Sequence, residues 1–224
     1  MIPIWKRLSV FGALAAMASA LCACAPVSQM PPPVPLAKGE VIFGSTGTAG
    51  VASLRYKTYS GLQPFPFGTV QAWGGVPLKD GLIAHGSVFY GPHMGIGGGA
   101  GLRAELKETE WGQVGVQASV GWAYVSVGLP VSVEVSDPLT LYTHPTVSTI
   151  NDSWMVGWPS TPLALHLPIG LWWWSPMGMG LGVELGAQGY MTHMGALGDQ
   201  PNLMAYLSIS LGSSILLTPD SAPR

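Results

Sequence analysis

The sequence predicts an all-β chain: a small up-and-down antiparallel transmembrane β-barrel of about ten strands, or eight if the weaker segments merge. Three observations carry that prediction. From Glu40 onward the apolar residues recur with a period of two, the spacing at which successive side chains leave opposite faces of a strand. The alternate face is mostly Gly, Ser and single charges, which is a poor surface to present to water. Thirty-one glycines and twenty prolines also interrupt every apolar run beyond residue 23 before it reaches the 18 residues or more of a spanning helix.

The clearest segment is 94–106, where Met94, Ile96, Ala100, Leu102, Ala104 and Leu106 share one face and Gly95, Gly97, Gly99, Gly101, Arg103 and Glu105 the other. After the polar turn at 107–110, Val114, Val116, Ala118, Val120 and Trp122 oppose Gly115, Gln117, Ser119 and Gly121. The phase flips at Tyr124 and Val125, which marks a bulge or a very tight hairpin. Val127, Leu129, Val131, Val133 and Val135 then form the apolar face against Ser126, Gly128, Ser132 and Glu134. Leu163 to Trp173 alternate against His166, Gly170 and Trp172. Met179, Leu181, Val183 and Leu185 alternate against Gly180, Gly182, Glu184 and Gln188. The last strand sets Leu203, Ala205, Leu207, Ile209 and Leu211 against Tyr206, Ser208, Ser210 and Gly212. Less regular strands are expected at 40–57, 67–76, 81–90 and 139–146.

A soluble sandwich would carry Lys, Glu and Thr on its outer face. Here charged residues are only 9% of the chain and hydrophobic residues 48%, against about 25% charged in soluble domains. The apolar face therefore suits lipid and the small polar face a narrow lumen, and closure removes edges that hydrocarbon cannot satisfy. Trp73, Tyr90, Trp111, Trp122, Tyr142, Trp173 and Trp174 fall near strand ends, where interfacial girdles are expected. In this respect the stretch 40–217 resembles small bacterial outer-membrane barrels. With both termini periplasmic, connections 77–80, 107–110, 136–138 and 175–177 lie on the periplasmic side, and 58–66, 147–161 and 191–201 face out.

The N-terminus carries Lys6 and Arg7, an apolar run from Leu8 to Ala20, and then Leu21-Cys22-Ala23-Cys24. This order of charge, apolar run, small residue and cysteine resembles the precursors of bacterial lipoproteins. The resemblance implies a cleaved signal over 1–23 and lipidation of Cys24, a palmitate-type anchor in the outer membrane. Cys22 fits less well, because Leu21 would stand where a small residue belongs. Residues 24–39 include Pro26, Pro31, Pro32, Pro33 and Pro35 and read as a polyproline II tether, able to reach on the order of 40 Å at about 3.1 Å per residue. Residues 40–217 form the barrel and 218–224 a short tail. Removal of Lys6 and Arg7 from nine basic residues leaves seven against eleven acidic, a net charge of −4. No basic patch remains for nucleic acid; membrane lipid and other envelope proteins are the expected partners.

Candidate chemistry is sparse. His85, His93, His144, His166 and His193 show no metal-ligand spacing, and with Cys22 cleaved off and Cys24 acylated no thiolate site is expected. His144, His166, Asp152 and Ser153 match no acyltransferase or deacylase motif. Gly47-Thr48-Ala49-Gly50 and the glycines of 97–101 open no helix, as a phosphate loop would. No catalytic, cofactor or metal residues are assigned. The inward charges Arg103, Glu105, Glu134 and Glu184 are expected to form a plugging lumen network, because buried charges need partners. The expected function is a structural or interaction component of the cell envelope. Its alternatives are a narrow pore for small solutes, a lipid-modifying barrel enzyme and a tethered periplasmic β-domain.

Overall fold

A computed structural model of the chain describes residues 32–34, 36, 39–54, 63–91, 95–109, 111–121, 124–150, 163–190 and 203–216. Twelve strand segments make ten barrel staves. They are β1 (Glu40–Leu54), β2 (Gln63–Lys79), β3 (Leu82–Gly91), β4 (Gly95–Thr109), β5 (Gly112–Gly121), β6 (Tyr124–Gly128), β7 (Val131–Ser136), β8 (Leu139–Thr143), β9 (Thr146–Ile150), β10 (Leu163–Trp174), β11 (Met179–Tyr190) and β12 (Leu203–Leu216). The pairings of the described strands are antiparallel, and β12 pairs with β1 from Glu40↔Leu216 to Ser53↔Leu203, so the sheet closes on itself. The fold is a closed ten-stranded transmembrane barrel, as the alternation predicts.

Two prolines explain why ten staves appear as twelve segments. β6 and β7 form one stave, since both pair with β5, and β8 and β9 form the next, since both pair with β10. Pro130 and Pro145 stand at the two breaks and have no N–H for the ladder. Their carbonyls still accept, from Gly115 N–H at 2.8 Å and from Leu129 N–H at 2.9 Å, so the wall continues across both. The phase flip at Tyr124 is a tight hairpin: Val120 pairs with Val125 across it. The stave expected at 139–146 runs on to Ile150, so 147–150 belong to strand and not to an outer loop.

Outward-facing Val88, Val120, Ile169, Leu185 and Ile209 are 54–62% exposed, while the alternate positions, such as Ser119, Arg103, Ser208 and Trp172, are buried. A belt of exposed aliphatic side chains around a closed sheet is the surface that hydrocarbon demands. Both ends of the barrel chain, Glu40 and Leu216, lie at one end with the turns around 80–81, 137–138 and 175–178. This is called the terminal end below. Gly81 and Gly178 take φ of +71° and +74° in two of those turns, the left-handed region where a Cβ is disfavoured.

Two further features depart from the sequence expectation. Trp73 and Tyr142 are 4% and 2% exposed and sit in the lumen, not in a girdle; Tyr90, Trp111 and Trp173 are exposed, and Trp122 lies outside the described residues. Parity decides this, because Trp73 shares the face of Gln71, and Tyr142 pairs with the inward Gly170. The second departure is in the tether, where Pro32, Pro33 and Val34 are buried inside the barrel. Proline spacing predicts extended backbone, but it carries no information about the direction that backbone takes.

Candidate functional site

The chemistry-bearing side chains converge in the lumen. At the terminal end an apolar cluster of Val34, Ile42, Trp73, Tyr142 and Trp172 forms, with Leu36 and Trp174 packed on it. Trp73 meets Trp172 edge-on at 5.9 Å between centroids, and Trp172 meets Trp174 likewise at 5.5 Å. The rings fit because they lie on glycines. A Cβ on Gly44 would stand 2.5 Å from Trp73, on Gly182 2.4 Å from Trp172, and on Gly170 2.3 Å from Tyr142. Toward the other end the same device seats Tyr206 on Gly186 and Phe89 on Gly97, each at 2.2 Å.

Behind the apolar cluster the interior is polar. Glu184, 1% exposed, accepts from Tyr142 Oη at 3.1 Å and from Tyr206 Oη at 2.9 Å, one bond to each carboxylate oxygen. Because Tyr206 gives its only proton to Glu184, its oxygen accepts from His166 Nε2, and the two rings stack at 5.5 Å. On the far side of the bore Arg103, 2% exposed, donates from Nε to Gln117 Oε1 at 3.1 Å and from Nη1 to the Pro32 carbonyl at 3.2 Å. Trp73 Nε1 donates to Thr46 Oγ1 at 2.9 Å, Thr46 is bonded to Ser210, and Thr48 to Ser208, both at 2.8 Å. Gln71 Nε2, His85 Nε2, Ser132 Oγ and both ring nitrogens of His144 are buried without a protein partner.

Of the residues expected to form the lumen network, Arg103 and Glu184 are buried in the bore, and Glu105 is half-buried on the same face of β4 as Arg103. Glu134 is the correction: it is exposed, opposite Thr140 near the 137–138 turn, where the ladder shifts register between Glu134 and Ser136 and a bulge re-aims the side chain. Cys24, His93, Asp152, Ser153 and His193 lie outside the described residues. The 47–50 run lies in β1 and the 97–101 glycines in β4, so neither forms a loop. Tyr142, Tyr206, Gln117 and the inserted prolines are the participants that the sequence reading misses. Only Tyr206 and Gln117 had a signal, their parity.

His166 is engaged with a phenol, and the buried hydroxyls of Ser208 and Ser210 face threonines, so neither of these two serines has a base beside it. Among the described residues no group of three or more His, Cys, Asp or Glu is placed to hold a metal ion. A groove of about 530 Å³ is bordered by Ser45, Gly47, Val70, Ala72, Val88 and Ile96 on the outward parity and reaches Thr46 and Gln71 on the inward one.

No protein-family model matches the chain, and no curated protein matches it in sequence. The chain is similar in structure to solved membrane barrels. The NanC porin is 6% identical, with a TM-score of 0.44 over 74% of this chain and 98% of that one. The KdgM porin is 10% identical, with a TM-score of 0.39 over 76% and 99%. The attachment invasion locus protein Ail of Yersinia pestis is 12% identical, with a TM-score of 0.34 over 80% and 100%.

Proposed function

We propose that this chain is an outer-membrane lipoprotein, anchored through Cys24 with both barrel termini periplasmic, whose domain is a closed structural or interaction component of the envelope. The observation that carries the reading is the filled interior. A porin keeps an open aqueous path, whereas here an aromatic cluster and the inserted prolines stand at the terminal end of the bore. The tyrosines that bind Glu184 tie the staves of β8, β11 and β12 together inside the lumen, a role in stability. Short turns at the terminal end suit the periplasmic side.

The test is cell fractionation with fatty-acid labelling and migration on unheated gels. The protein should fractionate with the outer membrane, migrate faster before boiling than after, and incorporate label that Cys24→Ala abolishes and Cys22→Ala retains. Label retained in Cys24→Ala would overturn the anchor, and altered lipid A in expressing cells would overturn the non-enzymatic reading.

A further inference from the structure

We propose that the segment around Pro32 and Val34 is a displaceable plug, and that the barrel behind it is a narrow polar conduit for water and small ions that opens when the segment leaves. This rests on the reading of the domain as a closed barrel and asks what closes it.

The first argument is where the bulky side chains lie. Trp73, Tyr142, Trp172, Tyr206 and Phe89 each rest on a glycine of the wall, with ring atoms 2.2–2.5 Å from where a Cβ would stand. Rings laid along the wall narrow a bore from its sides and leave its axis open, and a ten-stranded barrel is wider than the eight-stranded kind that side chains just fill. Residues 32–34 occupy that axis. Val34 is fully buried in a cluster with Ile42 of β1, Trp73 of β2, Tyr142 of β8 and Trp172 of β10, while Arg103 of β4 bonds the Pro32 carbonyl. A segment that meets five staves around the ring sits at its centre.

The second argument is how weakly the segment is tied. Pro32 and Pro33 have no N–H to give, so this stretch cannot join the ladder as a strand does. Among the described residues its polar ties are the Arg103 bond and a local turn from Val34 N–H to the Pro32 carbonyl at 2.9 Å. Around Val34 the grip is apolar contact. Every stave, by contrast, is held by long ladders on both sides.

The third argument is the wall behind the plug. Gln71, His85, Gln117, Ser119 and His144 face the bore and are buried, and Gln71 Nε2, His85 Nε2 and both nitrogens of His144 lack a protein partner. Buried polar groups in that condition are met by water. An apolar stopper in front of a wettable wall is the arrangement of a closed conduit.

In planar bilayers the full-length protein should be silent. Val34→Glu puts a carboxylate among Ile42, Trp73 and Trp172 and should expel the segment, so discrete openings appear. A second full-length variant, with residues 31–36 replaced by Gly and Ser at equal length, should open as well without a buried charge. Both are compared only after heat-modifiable migration shows a closed barrel. Independently, Val34→Cys should react with a polar maleimide at least about tenfold more slowly than Met177→Cys on its exposed turn, since reaction requires the segment to undock. Silence of the properly closed variants overturns the plug while leaving the closed-barrel reading intact. Should neither variant assemble, the thiol measurement still decides: equal reactivity at positions 34 and 177 overturns the proposal. A conducting parent overturns the closed-barrel reading itself, and the plug with it.

Discussion

Gly182→Ala and Gly47→Ala are the same chemical change on two staves of one barrel, and the structure assigns them opposite outcomes. At Gly182 the new methyl would stand 2.4 Å from Trp172 Cε3 and 2.6 Å from Cζ3, where carbon atoms pack at about 3.5–4.0 Å. The indole must retreat by about 1 Å. It has no room to do so, being fully buried, flanked by Trp73 and Trp174, and already within 2.4 Å of a Cβ position at Gly180. Overpacking of this kind costs about 1–3 kcal/mol. At Gly47 nothing lies within 4 Å of the new methyl. Replacing glycine in a strand recovers about 0.5–1 kcal/mol of backbone entropy at either site, so this term cancels between the two variants. Gly182→Ala should therefore be less stable than Gly47→Ala by about 1–3 kcal/mol, and Gly47→Ala should equal or exceed the parent. Urea unfolding in lipid vesicles, followed by tryptophan fluorescence, measures the difference. Equal midpoints for the two variants would refute the claim that glycines are the seats of the lumen rings.

Tyr206→Phe should destabilise the barrel more than Tyr142→Phe in the same unfolding assay. The first removes the hydroxyl that joins His166 to Glu184, the second a single bond to Glu184, and a hydrogen bond to a charged group contributes about 1.5–3 kcal/mol. Comparable small losses below about 0.5 kcal/mol, the range of an ordinary surface change, would show that the Glu184 cluster is not a structural tie. Ala118→Arg and Leu181→Arg place a cation on the lipid face, at about 2–4 kcal/mol near the midplane, and should block assembly. Ser119→Ala, one residue away on the inner face, should assemble; heat-modifiable migration reads all three, and the reverse order would turn the barrel inside out.

Strand count and facing were legible because they depend on parity, which a sequence states directly. Leu181 and Gly182 alternate in the letters as they do in the wall. The hairpin after Gly121 was visible as a phase flip, though not distinguishable there from a bulge. The aromatics were harder, because a tryptophan near a strand end suits an interface and a lumen equally well. Trp73 went inward because Gly44 gave it a seat on the neighbouring stave, a relation across strands that requires the register. Glu134 shows the opposite failure: its parity is inward, but the ladder shifts register between Glu134 and Ser136, and a bulge at the end of a stave is not visible in the alternation. The buried prolines left no trace in the pattern at all, since residues 32–34 are too short for any period, and their partners Trp73, Arg103, Tyr142 and Trp172 are distant in sequence.

The ladder between β1 and β12 joins groups such as Thr46 and Ser210, 164 residues apart along the chain. Until the last stave arrives, β1 and β11 each present a full row of unmet N–H and C=O groups, and hydrocarbon offers them nothing. A chain stopped before residue 203 would therefore not yield a nine-stranded barrel of slightly lower stability. It would expose two sticky edges and the apolar belt at once. Insertion has to be a single terminal event, and before that event the whole chain depends on being held away from its own kind.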